Sequence, residues 1–129
     1  MSPDPEADCD RLRALCLALP SATEKISHGM ATFFIEKGKV FAYFTHNHHG
    51  DGRTAVLVKT SGPEEQELLI EVDPDLHYRP PYLGHAGWLG IRTDQPQSDW
   101  DHIADRIETS WRLVAPRKLL AKTLMEREA

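Results

Sequence analysis

The stretch HNHHGDGR, residues 46 to 53, brings three imidazoles and a carboxylate into one short segment. Neutral imidazole is a common metal ligand, so His46, His48 and His49, with Asp51 beside them, have the composition to converge on zinc, nickel or copper at a strand end. No further Cys or His pair at ligand spacing accompanies them, and a solvated hairpin tip accounts for the same residues.

A second stretch, RPPYLGHAGWLGIR over 79 to 92, concentrates rings and glycines. Pro80 and Pro81 hold the chain extended, while Gly84, Gly87 and Gly90 let it turn and approach a neighbouring backbone. Tyr82, His85 and Trp88 then either pack over a sheet edge or line a groove, the ordinary setting of a small-ligand or peptide site. A phosphate-cradling glycine loop would need a helix after it, and a strand follows here.

Nucleic-acid recognition would draw on two other sets. Phe34, Phe41 and Tyr43 have faces on which bases stack, and Arg53, Arg79, Arg92, Arg112, Arg117 and Lys118 have charges that meet phosphates. The net charge of -5 opposes binding driven by phosphate neutralisation alone. Even so, Arg112, Arg117, Lys118 and Lys122 form a basic run without an intervening acid. Covalent catalysis has no comparable signal: there is no G-x-S-x-G elbow, and neither cysteine has a histidine near it in sequence. The expectation is a protein that is not an enzyme and needs no cofactor.

The elements that must position these residues fit one domain. At 129 residues the chain is long enough for a real core and too short for two. No apolar run approaches the roughly 20 residues that span a bilayer, and the acidic N-terminus lacks a signal-peptide profile, so a cytoplasmic location is expected. Cys9 and Cys16 lie in one helix, about 10 Å apart at the helical rise. That is beyond disulfide reach, so both are expected reduced.

Leu12, Leu15, Cys16 and Leu19 share one helical face, predicting a helix from about Pro5 to Leu19, capped by Asp4 and stopped by Pro20. Residues 1–5 are expected to be frayed. ATFFIEKGKVFAYF reads as a hairpin about a two-residue Lys37-Gly38 turn. That register puts Phe33, Ile35, Val40, Ala42 and Phe44 on a core face and Thr32, Phe34, Phe41 and Tyr43 on the other. Thr54 to Lys59 is a third strand. A short helix capped by Ser61 begins at Pro63, an irregular edge segment precedes the strand WLGIR, and a helix opened by Ser98 and Asp101 carries Trp100, Ile103, Ile107, Trp111 and Val114 inward. Residues 116–129 extend it by a further helical turn or two. The order α-βββ-α-ββ-α predicts an α+β fold, a two-layer arrangement of antiparallel sheet and helices.

Three segments, LALPSATEKISHGMATFFIEKGKVFA, PPYLGHAGWLGIR and SWRLVAPRKLL, resemble the MmcQ/YjbR family of small bacterial proteins. The pattern runs through Leu19-Pro20, His28, Lys37-Gly38, Trp88 and Arg112-Leu113-Val114, and covers about Leu12 to Leu120. The resemblance implies a CyaY-like or secretion-chaperone-like α/β domain and carries a DNA-binding label without catalytic residues. The expected function is therefore a non-enzymatic binding module with DNA as a candidate partner, monomeric or weakly dimeric. The alternatives are a small-molecule or metal-binding protein using the 79–92 groove or the histidine tip, and an interaction module pairing through the aromatic sheet face.

Overall fold

A computed structural model describes residues 4–128. Its order is α1 (Pro5–Leu17), β1 (Ala22–Ser27), β2 (Met30–Ile35), β3 (Val40–His46), β4 (Thr54–Val58), α2 (Pro63–Val72), β5 (His77–Tyr78), β6 (Leu89–Arg92), α3 (Trp100–Val114) and α4 (Arg117–Glu128). The strands form one antiparallel sheet in the order β1-β2-β3-β4-β6-β5. The fold is the α+β type expected, with one more strand, β1, at the sheet edge. That strand escapes periodicity because ATEKIS has no buried residue: it pairs with β2 but leaves Ile26 exposed. Among the described residues no helix is long and apolar enough to cross a membrane.

The helices open as their caps dictate. Asp4 accepts a hydrogen bond from the Ala7 amide at 3.1 Å, with Pro5 at the first helical position. Asp4 and Pro5 are thus part of a helix start rather than frayed; residues 1–3 lie outside the described residues. The α2 and α3 caps differ from expectation. Gly62, not Ser61, precedes α2, and Asp99, not Ser98, caps α3 by accepting from the Asp101 amide. Ser98 instead donates to the Arg92 carbonyl at 2.8 Å, tying the α3 entrance to β6. Ala115 is extended before Pro116, as proline requires of its predecessor, so α4 is a separate helix.

The core lies between one sheet face and the helices. Phe33, Ile35, Ala42, Phe44, Val56, Val58, Leu89 and Ile91 meet Leu12, Cys16, Ile103, Ile107 and Trp111. Trp111 also donates its indole N–H to the Pro20 carbonyl at 3.1 Å, which closes the α1–β1 corner. Cys9 and Cys16 are free thiols.

One departure from the predicted hairpin register decides which aromatics face where. Thr32 faces Tyr43 and Phe33 faces Ala42 as expected, but Phe34 faces Val40, leaving Phe41 as an extra residue. Lys37, not Gly38, carries the positive φ, at 61°. The bulge turns Phe41 into the helix-side core, fully buried, and leaves Val40 half-buried and outside that core. It also frees the Phe41 carbonyl, which accepts from the buried Ser110 hydroxyl at 2.6 Å. The Ser110 oxygen in turn accepts from the Lys59 amide at 2.9 Å. A serine on α3 thus completes the hydrogen bonding of two strands.

Candidate functional site

The sheet face away from the core holds a cavity of about 620 Å³. Its floor is Met30 of β2, Tyr43 and Thr45 of β3 and Leu57 of β4. These positions alternate with core residues Phe44 and Val56, so strand geometry alone sends them to the opposite side. Pro80, Pro81, Tyr82 and Leu83 form one wall, while His48, His49 and Asp51 from the β3–β4 connection form another. Tyr78 of β5 and His28 of the β1–β2 turn complete it, and among the described residues no α-helix contributes.

The wall is held from behind. Gln66 of α2, fully buried, donates its amide N–H groups to the Gly84 carbonyl at 2.7 Å and the Trp88 carbonyl at 2.6 Å. The Thr60 hydroxyl lies 2.6 Å from the Gly87 carbonyl. Tyr78 lies directly across from Gly90, and its ring occupies the space a side chain there would need: a Cβ on Gly90 would stand 2.4 Å from Cζ. Arg53 stacks its guanidinium 4.2 Å from the centroid of the Tyr78 ring. Trp88 backs Tyr43, with ring centroids 5.3 Å apart.

Burial sets the acid–base character of the floor. It pushes the Tyr78 phenol up to about 12, and raises Tyr43 as well. Both are therefore neutral hydrogen-bond donors at physiological pH. Thr45 is 4% exposed, and its buried hydroxyl has no hydrogen-bond partner among the described residues.

The predicted groove residues divide. Tyr43 and Tyr82 line the cavity, Tyr82 being 80% exposed. Trp88 is buried behind Tyr43 and supports the floor from outside the lining. Phe34 is half-buried on the cavity side of the sheet, under the Lys25 ammonium at 4.8 Å, and away from the cavity itself. Phe41 is a correction: the bulge places it in the core. His85 is another, since it sits exposed on a short 3-10 turn and outside the lining. Of the histidine tip, His48 and His49 line the cavity with ring centroids 4.0 Å apart, whereas His46 turns to Thr54, 2.8 Å from its hydroxyl. Among the described residues no three His, Cys, Asp or Glu side chains are placed to hold a metal ion.

The six basic residues form no single group either. Arg79 pairs with Glu67 at 3.7 Å, Arg92 with Asp94 at 2.9 Å and Arg112 with Glu108 at 3.4 Å. Arg117 and Lys118 are exposed at the start of α4 and have no ion-pair partner among the described residues. Sequence reasoning missed Thr45, Met30, Leu57, Tyr78, His28 and Gln66. Continuing the Tyr43 alternation by two residues would have reached Thr45; Gln66 carried no signal, because its partners are carbonyls distant in the chain.

Behind β5, on the core side, His77 and His102 meet with Nε2 atoms 2.9 Å apart. His77 Nδ1 lies 3.2 Å from the Asp73 carbonyl, an acceptor, so Nδ1 carries the proton and Nε2 accepts from His102. Burial, then the neighbouring imidazole, lowers the His77 pKa; burial, then Arg106, lowers that of His102. The folded state therefore binds fewer protons than the unfolded chain below about pH 6.5, and stability falls as pH drops through that region. The melting temperature is expected to decline from pH 7 to pH 5, and less steeply in His102→Gln. Equal slopes in native and variant chains would contradict the pairing. Asp94 and Glu65, whose pKa values are lowered, lose their contributions in a separate window below about pH 4.5.

A family model, YjbR, matches residues 17–113. The crystal structure of Deinococcus radiodurans protein DR2400, a DUF419 domain, superposes with a TM-score of 0.66 at 20% identity, covering 81% of this chain and 76% of that one. That likeness is one of fold. No curated protein matches the chain.

Proposed function

Because the chain belongs to the YjbR family, we propose that it is a non-enzymatic binding module of that family whose binding site is the cavity on the open sheet face. The observation that carries the reading is the cavity itself. At about 620 Å³ it has the size of small-ligand sites, with an apolar floor and a few convergent polar groups. His28, His49 and Tyr82 all hold left-handed backbones, at φ 53°, 54° and 66°. Such conformations in non-glycine residues persist where the surroundings impose them, and they gather at binding sites.

The test is a titration with 8-anilinonaphthalene-1-sulfonate, whose emission rises in apolar sites. The folded chain is expected to bind one equivalent, and Leu83→Trp, which fills the cavity from its half-buried wall, is expected to weaken binding about tenfold or more. Unchanged binding in Leu83→Trp would overturn the assignment.

DNA binding is the second reading, favoured by the exposed Arg117 and Lys118, which lack an acidic partner among the described residues. A single-stranded oligonucleotide bound with a steep salt dependence that Arg117→Ala and Lys118→Ala reduce would move the assignment to that surface.

A further inference from the structure

Resting on the cavity being the binding site, we propose that its ligand is a small organic anion with an apolar body, held more tightly as the histidines of the lining gain protons. Three imidazoles carry the inference. His28 comes from the β1–β2 turn, His48 and His49 from the β3–β4 connection, and all three line the one cavity. Among the described residues their nitrogens have no hydrogen-bond or ion-pair partner; the ring contacts are those of His48 with His49 and of His49 with Tyr82. A neutral imidazole gives or takes a hydrogen bond and selects no charge. A protonated one only donates, and carries a positive charge. Histidine makes that change between about pH 8 and pH 5.

The rest of the lining does not cancel such charges. Asp51 is its one carboxylate among the described residues, and it accepts from the Arg53 amide at 2.9 Å without pairing with a histidine. The Tyr43 and Tyr78 phenols, raised by burial, stay neutral. Met30, Thr45 and Leu57, which the central strands contribute, are uncharged. Flanking the wall, the Arg53 guanidinium lies over the Tyr78 ring, while Glu67 pairs with Arg79 and Asp94 with Arg92.

Once the three imidazoles are protonated, three positive charges face one negative, beside the apolar surface of Met30, Leu57, Pro80, Pro81 and Leu83. An occupant complementary to both brings an apolar body and a negative charge. His28 and His49 are exposed and His48 is half-buried, so each charge has the modest worth of a solvated pair.

The experiment compares 8-anilinonaphthalene-1-sulfonate with N-phenyl-1-naphthylamine, the same ring system without the sulfonate. Fluorescence titrations of the full chain at about pH 8 and about pH 5.5 span the histidine range and give a dissociation constant for each probe. On going to the lower pH, the sulfonate is expected to tighten about 3- to 30-fold relative to the neutral probe, the combined worth of three solvated charge pairs. The ratio removes any change in the stability of the fold, which both probes share. A variant combining His28→Asn, His48→Gln and His49→Asn keeps polar side chains, and asparagine suits the left-handed backbones of His28 and His49. It is expected to bind the neutral probe as the native chain does and to lose the pH dependence of the ratio. His85→Gln, at an exposed position outside the lining, should keep the native ratio, which separates charge in the cavity from charge on the chain as a whole.

If the two probes change equally with pH, or the triple variant keeps the native ratio, the anion preference is wrong; with Leu83→Trp still weakening both probes, the cavity assignment survives. If neither probe binds the native chain, or Leu83→Trp leaves both unchanged, the cavity assignment falls and the ligand class with it.

Discussion

Replacing Gln66 by glutamate should destabilise the protein by about 3–5 kcal/mol at neutral pH, although the two side chains have nearly the same shape. The amide nitrogen of Gln66 is wedged between the carbonyls of Gly84 and Trp88, 2.7 and 2.6 Å away, on a fully buried side chain. Both neighbours only accept, which also fixes the orientation of the amide, since its oxygen would face two oxygens if turned. A carboxylate in that place meets two carbonyl oxygens, loses both hydrogen bonds and is shut away from water. Relief comes by protonation, so the pKa of the introduced carboxyl group is raised. The raised value has a definite sign: the variant's deficit is greatest above the ordinary carboxylate range and shrinks as pH falls towards about 4. Gln66→Leu leaves the same two carbonyls unpaired without adding a charge and should cost less, about 2–4 kcal/mol for the pair. Denaturant melts at pH 7 and pH 4.5 check both statements. A Gln66→Glu protein as stable as the native one at pH 7 would show that the α2 anchor is not what seats residues 84–88.

The second large effect concerns Gly90. Its backbone is an ordinary extended strand, so conformational freedom does not explain the glycine; space does. A Cβ there would stand 2.4 Å from both Cε1 and Cζ of Tyr78, far inside contact distance. Gly90→Val must therefore eject the Tyr78 ring from its seat, remove one wall of the cavity and break the stack with Arg53. The expected cost is about 1–3 kcal/mol from overpacking, together with loss of anilinonaphthalene binding. Tyr78→Ser in the same chain opens the space again, so the double variant should be more stable than Gly90→Val alone. Additive losses would mean that the two residues do not compete for one volume.

How much of this is legible in the sequence depends on the distance over which each feature is encoded. The helices, apart from their ends, follow from local periodicity, and so does the inward set Phe33, Ile35, Ala42 and Phe44; Val40, expected with them, does not join the core. β1 is invisible because its residues are neither buried nor alternating, and its existence depends on β2 offering a free edge. The Phe41 bulge is equally hidden. It depends on Ser110, 69 residues away, donating to the freed carbonyl. Part of the cavity can be read: composition singles out Tyr43, Tyr82 and the His48-His49 pair, and the glycines of 84–90 point to close backbone approach. Their convergence cannot be read, since it brings β2, β3, β4, β5 and three connections to one place. Thr45 draws no attention because a lone threonine in a strand is usually a solvated or ordinary packed residue. Only the absence of a partner around its hydroxyl, among the described residues, marks it.

The most direct measurement is a methyl spectrum of the chain, labelled at methionine, leucine and isoleucine, recorded while the anilinonaphthalene probe is added. Binding on the open sheet face predicts shifts at Met30, Leu57 and Leu83, with Ile103 and Ile107 beneath the helices unmoved. Shifts at those isoleucines, with Met30 and Leu57 unchanged, would contradict it.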